Sequence, residues 1–426
     1  MRAASCLSLA ALVAFGCSSA SEPASAGPDV PSPFSEASSP LEREVDPQVD
    51  PTVLSAVVEG NTEFAFDLFR QSAAADVNLV QAPLSLSTVL SMTYAGARGE
   101  TASELAAVLH FTEGAAQHAS FNLVDRRLEA RVAGATGKDG AEARLQSDNM
   151  LFSRPDIRFE QPFLDTLALN YGAGVQLSDL ASQQALDALN GYVAERTEQR
   201  VPELLSKFPP DCALILINTV YVNAGWAIPF DKGRTASAPF AAPGGAKPVP
   251  FMHAEDTYLY ADTELATAVE IPTTVAGLAL DIVLPKGDLG TFEQALHASQ
   301  WATLTAALQP RGVALSLPKV KVEPAAAGSL VASFEALGLK APLTGAADFS
   351  GITASTRLQI ADIVHKTFFE IDEDGLEAAA SSAVVMTDES ATITDVTFTA
   401  DRPFVFVLRD TESGSVLFVG HIVDPT

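Results

Sequence analysis

Residues able to do covalent, metal or acid–base chemistry are few in this chain, and their spacing points nowhere. The cysteines stand at 6, 17 and 212, and the six histidines at 110, 118, 253, 297, 365 and 421. Three cysteines so placed build neither a disulfide framework nor a Cys-rich zinc site, and no pair of histidines has the spacing of an HExxH helix. There is no GxSxG elbow, no GxGxxG turn and no GxxxxGK loop. Carboxylate pairs carry no signal in a chain with 53 Asp and Glu against 26 Lys and Arg. Catalysis, a metal site and a cofactor therefore have no positive support. At a formal charge of −27 the surface repels phosphate, so nucleic acid, heparin-like polyanions and anionic lipid are poor partners.

One segment is unusual in another way. Between Gly375 and Arg402 there is neither Pro nor Gly, and Ala378 to Thr387 carry no charge. Exposed loops normally use turn residues and polar groups. This one reads as a strand. One face is Leu376, Ala378, Ala380, Ser382, Val384 and Met386; the other is Glu377, Ala379, Ser381, Ala383, Val385 and Thr387. The first face is small or apolar throughout, as a strand needs when its side chains must slip beneath a packed sheet. By pattern alone, the plainer reading is an ordinary buried strand in a static fold. Cys212, just before the apolar run Ala213 to Ile217, reads as a small buried hydrophobe and not as a nucleophile.

The elements that must carry this segment follow from length and periodicity. The chain has 426 residues, 47% of them hydrophobic, enough for a large core. Met1-Arg2 and the apolar run Ala3 to Gly16 make a secretory-type segment, 1–16, ending at Cys17. A small residue directly before a cysteine resembles the bacterial lipoprotein signal, in which that cysteine receives lipid; a plain secretory signal is the alternative. Residues 17–53 are dominated by Ser, Ala, Pro and Glu and read as a tether. Residues 54–426 read as one mixed domain. Helical spacing covers 54–75, 84–97, 101–111, 119–133, 160–171, 183–198 and a stretch near 290–308. Asn78 to Val80, 213–223 and most of 250–322 suit strands, and Phe404 to Val423 suits a hairpin turning at Asp410 to Gly414. Helices early and strands late argue an α+β fold.

Several blocks in order resemble the serpin family over nearly all of 54–426. They are Asn78-Leu-Val-Gln-Ala-Pro83-Leu-Ser85, Gly96 to Thr101, and Asn218 to Trp226 running on to Pro229-Phe230. Leu317-Pro-Lys319, Asp348 to Ile352 and His365-Lys366 leading into Phe369 to Gly375 follow. Arg402 to Phe406 with Leu417 to Pro425 close the set. The resemblance implies a large central, mostly antiparallel sheet with helices, smaller sheets and an exposed reactive loop. It also implies a suicide-type inhibitor and not an enzyme. A serine protease attacks the loop as bait, and the cut loop enters the sheet with the protease still attached as a covalent acyl complex. A non-inhibitory binding or structural protein on the same fold is the alternative.

Carried onto this sequence, the hinge is Glu373, Gly375, Leu376, Ala378, Ala379, Ala380, Ser381 and Ser382. Its uncharged small residues are what insertion requires, and Leu376 stands where the family usually has Thr. The bait bond, counted fourteen places on from Gly375, is Glu389–Ser390, with Asp388 or Met386 as the alternatives to Glu389. An acidic bait residue implies an acid-preferring protease. The residues that hold the sheet shut are Ser85, Asn218, Trp226 and His365, while Ala82 departs from the family's Ser. A monomer without cofactor or metal is expected, and the acidic charge speaks against a heparin-type activator. Together with the leader, the resemblance implies export and anchoring through lipid on Cys17, or else an extracellular protein.

Overall fold

The computed structural model describes residues 35–425, apart from 113, 139, 209–211, 323–327 and 377–393. The helices are α1 (Pro51–Ser72), α2 (Pro83–Tyr94), α3 (Gly99–Val108), α4 (Ala115–Val132), α5 (Gln161–Tyr171), α6 (Gln183–Arg196), α7 (Leu289–Ala295), α8 (Ala298–Ala306) and α9 (Val331–Leu337). Proline sits in the first turn of α1, α2 and α5, where its missing N–H costs nothing. Asp50 accepts from the Thr52 N–H at 2.8 Å and caps α1. The expected helix near 290–308 is two helices. Leu296, extended and 3% exposed, turns inward between them, so burial of one leucine overrides the helical spacing.

The first nine strands are β1 (Ser35–Ala37), β2 (Leu79–Gln81), β3 (Arg144–Ser153), β4 (Val175–Leu177), β5 (Leu214–Gly225), β6 (Ala236–Ala242), β7 (Gly245–Asp262), β8 (Ala266–Pro272) and β9 (Leu278–Pro285). The rest are β10 (Gln309–Pro318), β11 (Val320–Val322), β12 (Gly328–Ser329), β13 (Val364–His365), β14 (Phe369–Ile371), β15 (Gly375–Leu376), β16 (Val396–Thr399), β17 (Phe404–Asp410) and β18 (Val416–Ile422). One sheet runs β1-β4-β3-β5-β15-β14-β11, and a second runs β16-β10-β7-β8-β9-β17-β18-β2 with β6 beside β7. Among the described residues every strand pairing is antiparallel except β3 with β4 and β10 with β16. The α+β class with a large, mostly antiparallel sheet is therefore present. The expected tail hairpin is β17 and β18, paired from Phe404↔Ile422 onward.

The main core lies between the two sheets. Phe251, Tyr258, Ile282, Leu315, Phe404 and Phe406 are all under 3% exposed there. Phe369 of the first sheet stacks on Phe406 of the second, with ring centroids 4.2 Å apart. Each such aromatic, fully buried, contributes about 2–3 kcal/mol. On the other face of the first sheet, Leu189 and Val193 of α6 pack with Phe152 and Ile217. A strand in that sheet thus has protein on both faces.

The domain starts earlier than its composition implies. Ser35–Ala37 pairs antiparallel with Val175–Leu177, so part of the expected 17–53 tether forms an edge strand. Arg43 donates to Asn122 at 2.8 Å and pairs with Asp125 at 2.5 Å, and the Glu44 N–H donates to the Leu169 carbonyl at 2.9 Å. Polar contacts tie this segment to α4 and α5 without an apolar stripe of its own, so its sequence shows no apolar periodicity.

Candidate functional site

The expected hinge opens with a two-residue strand held from both sides. Gly375 pairs with Gly225 and Leu376 with Ala224 on β5, while Leu376 pairs with Ile371 on β14. Leu376 is 3% exposed. The turn leading into it is tied to the segment after β5. The Trp226 N–H donates to the Asp374 carbonyl at 3.2 Å and the Phe230 N–H to the Glu373 carbonyl at 3.1 Å. The indole N–H of Trp226 donates to the Asp372 carbonyl at 2.7 Å.

Four acids crowd this turn, and each has a partner. Glu373 accepts from the Thr235 hydroxyl and the Lys319 ammonium, both at 2.7 Å. Burial alone would raise its pKa; those two donors outweigh burial and hold the carboxyl below its ordinary range. Asp374 pairs with Lys232 at 2.6 Å. Buried Lys138 reaches Asp372 at 2.7 Å and Glu370 at 3.3 Å. Lys138, Lys232, Thr235 and Lys319 escape a reading of the sequence as site residues. Their partners lie far along the chain, and only the Leu317-Pro-Lys319 block hinted at one of them.

Below Leu376 the first sheet is split. Among the described residues no strand lies between β5 and β14 there, and a cavity opens in its place. It is lined by Tyr221 and Val222 on one side, Phe368 and Phe369 on the other, and Leu408 and Phe418 of the second sheet beneath. On its other edge β5 pairs with β3 along its length, from Leu214↔Ser153 to Asn223↔Arg144. Between β5 and β14 this leaves a slot, with Gly375 and Leu376 at its head.

The four residues expected to hold the sheet shut fall in two places. Trp226 is hydrogen-bonded to the turn before Gly375. His365 lies lower, where its Nε2 accepts from the Ala82 N–H at 3.0 Å. Its Nδ1 and the Ser85 hydroxyl are both buried without a partner among the described residues. Burial holds the ring neutral, with its pKa pushed down to about 4. The position that departs from the family's serine thus supplies a backbone donor instead. Asn218 sits opposite Asn149 in the β3–β5 ladder.

Beyond the slot, β16 runs parallel to β10, with Val396 opposite Val313, and the Asp395 N–H donates to the Gly312 carbonyl at 2.8 Å. The two ends of the loop therefore sit on different sheets. Ala378, Ala379, Ala380, Ser381, Ser382, Met386, Asp388, Glu389 and Ser390 lie outside the described residues, as does Cys17.

A family model described as serpin (serine protease inhibitor) matches residues 59–425. The chain belongs to the serpin family. A serpin-like protein of Thermococcus kodakarensis is 31% identical, over 87% of this chain and 86% of its own. The human leukocyte elastase inhibitor is 31% identical, over 86% of this chain and 98% of its own. Among solved structures, human thyroxine-binding globulin with its ligand superposes at a TM-score of 0.76, with 27% identity, over 88% of this serpin and all of the globulin. Native tengpin, a thermophilic serpin, reaches 0.76 at 23% identity, covering 91% and 97%, and shows the shared fold.

Proposed function

We propose that this serpin is a suicide-type inhibitor of serine proteases. The observation that carries the reading is the position of Gly375–Leu376 at the head of the slot, while the loop's far end is anchored on the second sheet. Continued down β5, the pairing of Gly375 with Gly225 sets Glu377 opposite Asn223, Ala380 opposite Val220, Ser382 opposite Asn218 and Met386 opposite Leu214. Ten further residues fill the slot, and Glu389 stands just beyond its end. The same register, continued on the other side, brings the Ser382 hydroxyl to the unpartnered Nδ1 of His365.

The protease serine attacks the Glu389 carbonyl carbon. An ester forms, the bond to Ser390 breaks, and the Ser390 nitrogen leaves as an amine carrying the proton. The freed arm enters the slot and gains ladder hydrogen bonds worth on the order of 10 kcal/mol in total. The acyl-linked protease is dragged with it and loses its catalytic geometry before water arrives. An acid-preferring protease fits Glu389. Export, with a lipid on Cys17 holding the tether to a membrane, fits the first seventeen residues.

Incubation with a Glu-specific protease tests this. An SDS-stable complex, together with a sharply raised melting temperature of the loop-cut chain, is expected. The thyroxine-binding relative supports the other reading, a binding protein on this fold. Only cleaved chain and equal melting temperatures would establish that one. A Cys17→Ala variant that still takes up labelled fatty acid would remove the lipid anchor.

A further inference from the structure

We propose that the junction of α1, α3 and α8 binds a divalent transition-metal ion of the zinc class. Glu63 and Asp67 are four residues apart on α1, so both carboxylates leave one face of the helix. His297 stands at the N-cap position of α8, its side chain free of the cap and turned to Glu63. One ligand atom from each of Glu63, Asp67 and His297 lies within 4.8 Å of the other two. His297 Nδ1 is 3.1 Å from Glu63 Oε1, and a second imidazole, His110 Nε2, is 2.8 Å from Asp67 Oδ2. Two carboxylates and one imidazole thus meet at one place, with the second imidazole against Asp67 at its edge, from elements too far apart in sequence for spacing to reveal them. A mixed nitrogen and oxygen set suits zinc; calcium and magnesium take oxygens.

The surroundings orient these atoms. Glu63 Oε2 accepts from the Ala298 N–H at 2.9 Å, and Asp67 Oδ1 accepts from Arg70, which also donates to the Leu296 carbonyl at 2.5 Å. Each carboxylate is therefore fixed through one oxygen and turns the other to a histidine, the outer arrangement that positions ligands around metals. His110 is held in the left-handed region at φ 52°, uncommon for a residue with a side chain. Its close seat on α1 depends on Gly60, where a Cβ would stand 2.3 Å from the His110 carbonyl oxygen. The side chains of Asp67, Glu63, His110 and His297 are 20%, 29%, 36% and 44% exposed, open enough for an ion to arrive from solvent. None of them belongs to the hinge or the slot, so the inference stands apart from inhibition.

The test is calorimetric titration of the chelator-treated full chain with Zn2+, with Co2+ absorption as a second readout. One equivalent of Zn2+ should bind and raise the melting temperature. Glu63→Gln and His297→Ala should each weaken binding by about tenfold or more. His110→Ala should change the Co2+ spectrum. Should His297→Ala fail to fold, Glu63→Gln, which keeps size and can still accept from Ala298, carries the test alone. Absence of Zn2+ binding below millimolar concentration, or unchanged affinity in Glu63→Gln, would overturn the site.

Discussion

Gly375 lies so close to Ala224 that a Cβ on it would stand 2.2 Å from the Ala224 carbonyl oxygen and 2.8 Å from the Gly225 Cα. Its φ of 155° is also one that side chains disfavour. The proposed hinge therefore starts at a contact that only glycine allows. Gly375→Ala should lift β15 from β5 at a cost of about 1–3 kcal/mol. Urea melts of the intact chain should show a lower midpoint, and proteolysis near Leu376 should speed up. An unchanged midpoint would mean that the hinge does not sit against Ala224.

Acid should weaken the intact fold through His365. Its unfolded imidazole takes a proton near the ordinary 6.5, and its folded one only near 4, because burial opposes the charge. Between those values the unfolded chain binds the extra proton, so stability falls as pH drops from 6.5 to 4 and is unaffected above. The full window is worth on the order of 3 kcal/mol. Buried His118, also pushed down to about 4, adds a second, parallel loss. Melting temperatures across this range should decline in the native chain and decline less in His365→Gln. Identical slopes would show that His365 does not control the effect.

Ala380→Arg should turn an inhibitor into a substrate. In the continued register residue 380 stands opposite Val220, on the same face as Val222 and Ala224, which pack toward the second sheet. An unpaired guanidinium there costs several kcal/mol and stalls insertion partway. Stoichiometry of inhibition should rise steeply while cleavage continues. Trapping at the original stoichiometry would remove the insertion step from the mechanism.

What the sequence made legible was whatever repeats locally or stands in ordered blocks. Helices α1 to α6 and the β17–β18 hairpin announce themselves through spacing, proline or glycine. What stayed hidden depends on distant pairs. The turn acids Glu370, Asp372, Glu373 and Asp374 look like any acidic run until Lys138, Lys232 and Lys319 are brought to them. The break at Leu296 needed the core that buries it. Residues 35–50 look like linker because hydrogen bonds and ion pairs, not apolar stripes, attach them.

That attachment has a measurable cost of removal. Arg43 bridges α4 through Asn122 and Asp125, and its own side chain is 18% exposed. Asn122 in turn donates to the Glu44 carbonyl at 2.9 Å. Arg43→Ala leaves Asp125, whose pKa burial already raises, without its guanidinium. A loss of about 1–3 kcal/mol in denaturant unfolding is expected. No loss would mean that the segment contributes nothing to holding α4 and α5.

The last test concerns Glu389, the proposed bait residue. Glu389→Arg should move specificity from acid-preferring to trypsin-like proteases and leave the fold intact. The side chain before the cut fills the protease's primary pocket, so a carboxylate selects a basic pocket and a guanidinium an acidic one. The slot does not oppose the change. In the continued register Met386 meets Leu214 at the end of β5, and position 389 lies past it, so no sheet position must accept the new charge. Association rates of both forms with a Glu-specific protease and with trypsin decide the matter. A crossed pattern is expected, each form fast with one enzyme and slow with the other. Unchanged rates with both would move the bait bond to Asp388 or Met386, and Met386 would place it at the last position that β5 can pair.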